Sequence, residues 1–169
     1  ISAIIIFIIG FGGYSYSPLF KNRIQQVSYD LAVFTTNPNT SLGHRLVFAK
    51  NTMEMIKSSP FFGVGTGDFP AEYSKINSVN SPKVKSTVQP HNMYLYIQAQ
   101  LGLLGLSIFL WIFYIQFQFA RASKDQFIHH AGVALPFLFL IIMLSDSYLL
   151  GHFTSNLFIL FSSFIYSNK

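Results

Sequence analysis

The chain has 169 residues, 51% of them hydrophobic, 17% aromatic and 10% charged, with a formal net charge of +5 and no cysteine. Soluble domains carry about 25% charged residues, so this composition cannot cover a water-facing globule and predicts an all-α integral membrane protein. The absence of thiols excludes disulfides, thiolate chemistry and Cys-ligated metals, and it is compatible with either side of a membrane.

Residues 1–16 are an apolar run that begins in mid-stretch at Ile1. No basic n-region or small-residue cleavage site accompanies it, so it reads as a truncated transmembrane helix and not as a signal peptide. Residues 17–92 form a long polar loop holding eight Lys or Arg against four Asp or Glu. Two amphipathic helices are predicted within it. Ile24, Val27, Leu31 and Phe34 form one apolar stripe, and Leu46, Ala49, Met53 and Ile56 form the other. Both stripes suit a bilayer interface or packing on a membrane bundle. Asn37-Pro38-Asn39 separates the two helices, Thr40 or Ser41 caps the second, and Ser59-Pro60 stops it. Ser78–Pro90, rich in Ser, Lys and Pro, reads as an irregular, mobile connection.

A hydrocarbon core of ~30 Å takes ~20 apolar residues per helix. Residues 93–120 and 131–150 meet that length as transmembrane helices, joined by a turn at 121–130. Residues 151–169 hold a short final span and the chain's cytoplasmic end. The expected architecture is therefore the C-terminal set of helices of a polytopic bundle with one long extracytoplasmic loop. Orientation rests on short basic connections, because the positive-inside rule weakens for loops beyond ~60 residues. The short turn with Arg121 and Lys124 and the terminal Lys169 share one side, taken as cytoplasmic, which puts residues 17–90 outside.

Two segments carry a family likeness. The first is Gly43-His44-Arg45, a helix, and then Met55-Ile56-Lys57-Ser58-Ser59-Pro60-Phe61-Phe62-Gly63-Val64-Gly65-Thr66-Gly67-Asp68-Phe69. The second is Pro90-His91-Asn92-Met93-Tyr94-Leu95, with Gln100-Leu101-Gly102-Leu103-Leu104-Gly105 after it. In this order the chain resembles the O-antigen ligase and polymerase family. Gln100 stands where that family commonly has an acidic residue, so no charge-dependent role passes to it. Leu144-Ser145-Asp146-Ser147-Tyr148-Leu149 is a weaker third likeness, to ligase-type members.

The resemblance implies a glycosyltransferase of lipopolysaccharide biosynthesis in the bacterial inner membrane, with the loop in the periplasm. The donor would be a glycan on undecaprenyl diphosphate, and the acceptor a hydroxyl of the lipid A core. Its other partners would be membrane lipid and N-terminal helices of the same protein, without which this part is expected to be inactive. No nucleic acid, cofactor or metal is expected; Asp30, Asp68 and Asp146 are isolated in sequence and form no close carboxylate pair.

Arg45 is the candidate for the diphosphate, since a guanidinium makes bidentate, charge-assisted bonds to phosphate oxygens. It is placed where helix N-terminal amides also favour anions. Its plainer reading is an interfacial arginine reaching to headgroups. His91 is the candidate general base, because imidazole takes a proton near working pH; its plainer reading is a structural helix-start histidine. In both cases the motif decides for function. Asn92 would cap the helix or orient the ring, with the cap the better reading. Gly63, Gly65 and Gly67 form either a phosphate nest or a loop turn. Asp146 is expensive in hydrocarbon and so a functional candidate. It is expected near the outer end of its helix, bonded to Ser145 or Tyr148.

Within the family, an O-antigen polymerase or a protein O-oligosaccharyltransferase would share these residues. A different class, a polysaccharide transporter or binding protein without chemistry, would show helices broken at the midplane. The spans read as mostly uninterrupted, with Pro136 near one end of its helix, which favours an interfacial enzyme.

Overall fold

The computed structural model describes residues 17–167. Among these residues all regular structure is helical. The helices are α1 (Pro18–Val33), α2 (Ser41–Ser58), α3 (Phe69–Asn80), α4 (Met93–Ala122), α5 (Gln126–Ile142) and α6 (His152–Ile165), with a 3₁₀ turn at Tyr148–Leu150. The expected truncated helix over 1–16 lies outside the described residues. The chain divides into two compact units, residues 1–47 and 48–169.

In the first unit, α1 opens with Ser17 as its cap, accepting from the Phe20 amide at 3.3 Å, and Pro18 in its first turn. Along the apolar stripe of α1, Ile24, Val27 and Leu31 are exposed and Phe34 is half-buried among the described residues; Asp30 is the residue of this helix that is buried. The Asp30 carboxylate accepts from the Leu42 amide at 3.2 Å, and the Thr40 hydroxyl accepts from the Gly43 amide at 3.0 Å. These bonds use amides that a helix start otherwise leaves open.

The second unit holds two layers. In the first, α2 contributes Phe48, Asn51, Thr52 and Met55, all buried, while Met53 is exposed. Of the stripe expected at Leu46, Ala49, Met53 and Ile56, Ile56 is buried, Leu46 and Ala49 are half-buried and Met53 is exposed, so the buried face is rotated to take in Asn51 and Thr52. Both have partners there. The Asn51 amide donates to the Tyr73 hydroxyl at 3.3 Å and to Asn77 Oδ1 at 3.1 Å, and Thr52 bonds the Phe48 carbonyl. Burial raises the Tyr73 phenol above its ordinary range, and the Asn51 bond opposes that shift. Helix α3 was not foreseen, although Phe69, Tyr73 and Asn77 recur at helical spacing and Pro70 sits in its first turn. The segment expected to be mobile is pinned: Val84 and Pro90 are buried, and Asn77 donates to the Val84 carbonyl at 2.8 Å.

The second layer is an apolar bundle of α4, α5 and α6. Met93, Phe113, Phe139 and Met143 form its core, with Phe158 packed against Phe139 at 4.6 Å between ring centroids. Gly132 lets α5 approach closely, since a Cβ there would lie 2.8 Å from the Ala120 side chain. Only α4 among the described helices is long and apolar enough to cross a membrane; α5 and α6 are shorter apolar helices.

Two features correct the expectation of uninterrupted spans. Helix α4 is broken at Gly102, whose φ of 66° and ψ of −166° are not helical. Pro136 lies well inside α5, not near its end. The expected 131–150 helix also stops at Ile142, and a turn and the 3₁₀ element follow.

The break in α4 is closed by the loop after α2. The Val64 and Gly65 amides donate to the carbonyls of Ala99 and Gln100, at 2.9 and 3.0 Å. On the other side of the break, the Leu103 and Leu104 amides donate to Pro60 and Phe61, at 2.8 and 3.3 Å. Groups freed by the break thus find partners in the loop. The backbones meet so closely that a Cβ on Gly102 would lie 2.2 Å from the Phe61 carbonyl carbon, and one on Gly63 2.2 Å from that of Gln100.

Candidate active site

The site is built where one helix begins and another ends. Helix α4 starts with an open amide at Met93, and the carbonyls of Met143 and Leu144 lie just past the end of α5. The Met93 amide donates to the Met143 carbonyl at 3.0 Å, and Asn92 Nδ2 donates to the Leu144 carbonyl at 3.0 Å. Asn92 Oδ1 meanwhile accepts from the Leu95 amide at 3.0 Å, capping α4. This pairing of helix ends brings the residues just before Met93 against those just after Leu144.

His91 and Asp146 are the result. His91 Nδ1 lies 3.1 Å from Asp146 Oδ1, and each side chain is 33% exposed. The same carboxylate oxygen accepts from the Ser147 amide at 2.7 Å. Asp146 thus lies beyond the end of α5, not within a helix, and there it meets His91 and the Ser147 amide. The Phe48 ring stacks on the imidazole at 5.9 Å and 21°. Behind Phe48, Tyr73 and Phe69 continue an aromatic row to Tyr96 of α4.

The His91 backbone carries strain. Its φ of 53° makes it the described non-glycine residue in the left-handed region. Histidine is among the residue types enriched there, yet the conformation still costs about 1–2 kcal/mol. Pro90, buried, and Asn92, fixed by its two bonds, hold the residue from both sides. An ionised carboxylate only accepts hydrogen bonds. Facing Asp146, the imidazole proton belongs on Nδ1, which leaves Nε2 as the acceptor. A half-exposed imidazole held this way by a carboxylate can take a proton from an approaching hydroxyl.

A cleft of about 380 Å³ adjoins the pair, lined by Gln89, Asp146, Ser147, His152 and Thr154 among others. Among the described residues, no three His, Asp or Glu side chains converge as a metal site.

Arg45 belongs to the first unit, where it is exposed on α2 and lines a shallow cleft with Arg23, Gln26, Asp30 and Ser41. Two of the helix-start amides expected beside it, those of Leu42 and Gly43, donate to Asp30 and Thr40. The glycines are likewise engaged. All three have positive φ, and the Gly63, Gly65 and Gly67 amides donate to the Ser59 carbonyl, the Gln100 carbonyl and Gln100 Oε1. Their conformations serve the docking of the loop on the broken helix. Gln100 is buried and uses its side-chain oxygen as an acceptor at 2.7 Å, a bond that needs no charge.

The Phe48 ring was missed in the sequence, where it stood outside the apolar stripe chosen for α2. The meeting of His91 with Asp146 is not visible in the sequence either, where 55 positions separate the two.

No curated protein matches the chain. The O-antigen ligase family model matches residues 1–110, which takes in Arg45, the glycine loop and the His91 region. That match covers more than half of the sequence, and the chain belongs to the O-antigen ligase family.

Proposed function

We propose that the protein transfers a glycan from undecaprenyl diphosphate to an acceptor hydroxyl, as an O-antigen ligase whose acceptor is the lipid A core. Family membership carries the broader statement, an O-antigen ligase- or polymerase-type glycosyltransferase at a membrane. The finer reading rests on the His91–Asp146 pair and its exposure. In it, Asp146 fixes the imidazole so that Nε2 accepts the acceptor hydroxyl's proton. The resulting oxygen attacks the anomeric carbon, a new C–O bond forms, and the bond to the diphosphate oxygen breaks. The diphosphate leaves with the electron pair, and the Arg45 guanidinium offsets its charge. The proton ends on His91, and no oxidant or reductant is involved. We place the protein in the bacterial inner membrane, multi-pass, with the loop and the pair in the periplasm.

An O-antigen polymerase or protein O-oligosaccharyltransferase would use the same groups. The Ser145-Asp146-Ser147-Tyr148-Leu149 stretch, which supplies the carboxylate, favours the ligase. A transporter is disfavoured although α4 is broken, because the polar groups freed at the break are closed by the loop. The lipopolysaccharide of a strain lacking the gene tests the reading. A ligase predicts loss of long chains with lipid-linked polymer accumulating, whereas chains of a single repeat would make it a polymerase.

A further inference from the structure

The break in α4 has a consequence for where the bilayer lies. Before it, Met93–Leu101 carries Tyr94, Tyr96, Gln98 and Gln100. After it, Leu103–Ile115 is apolar apart from Ser107 and the Tyr114 hydroxyl; Gln116, bonded to Ser162, and Gln118, bonded to Tyr114, follow, and Arg121 and Lys124 close the far end. From Leu103 to Ala122 is about 20 residues, ~30 Å of helix, which by itself matches a hydrocarbon core. At the near end of this stretch the loop presents two phenyl rings. Phe61 is 64% and Phe62 77% exposed, beside Leu103 and Leu104, at 47% and 57%. These four and Ser107 line one almost wholly apolar groove. The surface continues along α4 through Ile108 and Trp111, both exposed. The rings are held from behind, because Pro60 and Phe61 accept from the Leu103 and Leu104 amides.

We propose that Phe61 and Phe62 are an interfacial anchor whose occupant is the bilayer itself. They insert at the top of the acyl chains and set the membrane boundary at Leu103, not at Met93. The half-helix Met93–Leu101 then stands above the hydrocarbon. Its nine residues raise the His91–Asp146 pair by at most ~13 Å at 1.5 Å per residue, which is the headgroup layer, where a lipid-linked diphosphate lies. Exposed large apolar patches mark such contacts, and Phe, Trp and Leu are the side chains that interfacial segments bury at the headgroup–acyl boundary.

This inference rests on the reading that α4 crosses the membrane, and one experiment separates the two. The chain has no native cysteine, so F62C, W111C and K75C proteins are labelled with bimane. The full-length protein is placed in phosphatidylethanolamine–phosphatidylglycerol vesicles carrying nitroxide lipids, labelled either shallow or deep in the acyl chain. Position 62 is expected to be quenched more by the shallow nitroxide, position 111 more by the deep one, and position 75 by neither. Position 111 lies about 12 Å further along the helix than Leu103. Quenching at 111 with none at 62 overturns the anchor and leaves the span standing; it would mean that water or another part of the protein covers the rings. No quenching at 111 overturns the span, and the anchor with it. F62S tests the height independently of labelling: it should lower turnover of lipid-linked donor more than it lowers the protein's thermal stability. Unchanged turnover would contradict the positioning role.

Discussion

At the scale of single residues, the proposed base and backbone strain coincide at His91. A residue with φ of 53° sits in a region that costs about 1–2 kcal/mol, and such strain persists where surroundings over-determine it. Here Pro90, the Asn92 bonds, the Phe48 stack and Asp146 do so. Asp146→Asn keeps the shape but turns one side of the acceptor into a donor, so the ring loses the partner that selects its tautomer. Turnover should fall by about 10²–10⁴-fold, comparable to losing the base itself. The double variant with His91→Gln should be scarcely worse than either alone, because groups acting as a unit are not additive. Additive losses in a steady-state assay would mean that the two act separately. For Arg45, the lysine variant keeps the charge and loses the fork; transfer should drop by roughly 10²–10³-fold. A near-normal rate for Arg45→Lys would leave only a generic cation at that position.

At the scale of elements, Gly102 and Gly63 are where the loop and helix α4 touch through backbone. Adding a methyl group at either meets carbonyl carbon at 2.2 Å and also strains a positive φ. Gly102→Ala and Gly63→Ala should each destabilise the protein by at least about 2 kcal/mol, measured by thermal unfolding in detergent. Gly67→Ala, with open space around its Cβ, should cost only the φ penalty of about 1 kcal/mol. Equal effects at all three would dissolve the docking account.

Much at this scale was legible in the sequence. The apolar runs located α4 and α6, and turn residues located the ends of α2. What was not legible depends on contacts between distant segments. The buried face of α2 contains Asn51 and Thr52, polar residues that read as solvent-facing until Tyr73 and Asn77 supply partners for Asn51 and the Phe48 carbonyl supplies one for Thr52. Helix α3 is held by that same network, so its short, mixed sequence looked like loop. The break at Gly102 is stable only because amides from residues 64 and 65 and carbonyls from 60 and 61 complete it. No local pattern announces that. Asp146 was expected inside a helix because apolar residues continue to Leu150, yet the helix ends at Ile142, and the carbonyls of Met143 and Leu144 just past it are taken up by Met93 and Asn92.

At the scale of the whole molecule, the reading depends on which side of the membrane the site faces. Single cysteines at Lys83 and Lys124 test this with a membrane-impermeant thiol reagent on intact spheroplasts. Labelling at position 83 and not at 124 is expected, and the reverse would invert the topology. The central claim, that His91 is the base of a glycan transfer, is tested most directly on the full-length protein purified in detergent, with lipid-linked donor binding and turnover measured on one sample. His91→Gln retains hydrogen bonding, and His91→Asn also suits the left-handed backbone, but neither amide takes up a proton at neutral pH. Both variants should bind donor as the wild type does and turn it over about 10²–10⁴-fold more slowly. Turnover at the wild-type rate by either one, with donor bound, would contradict the account.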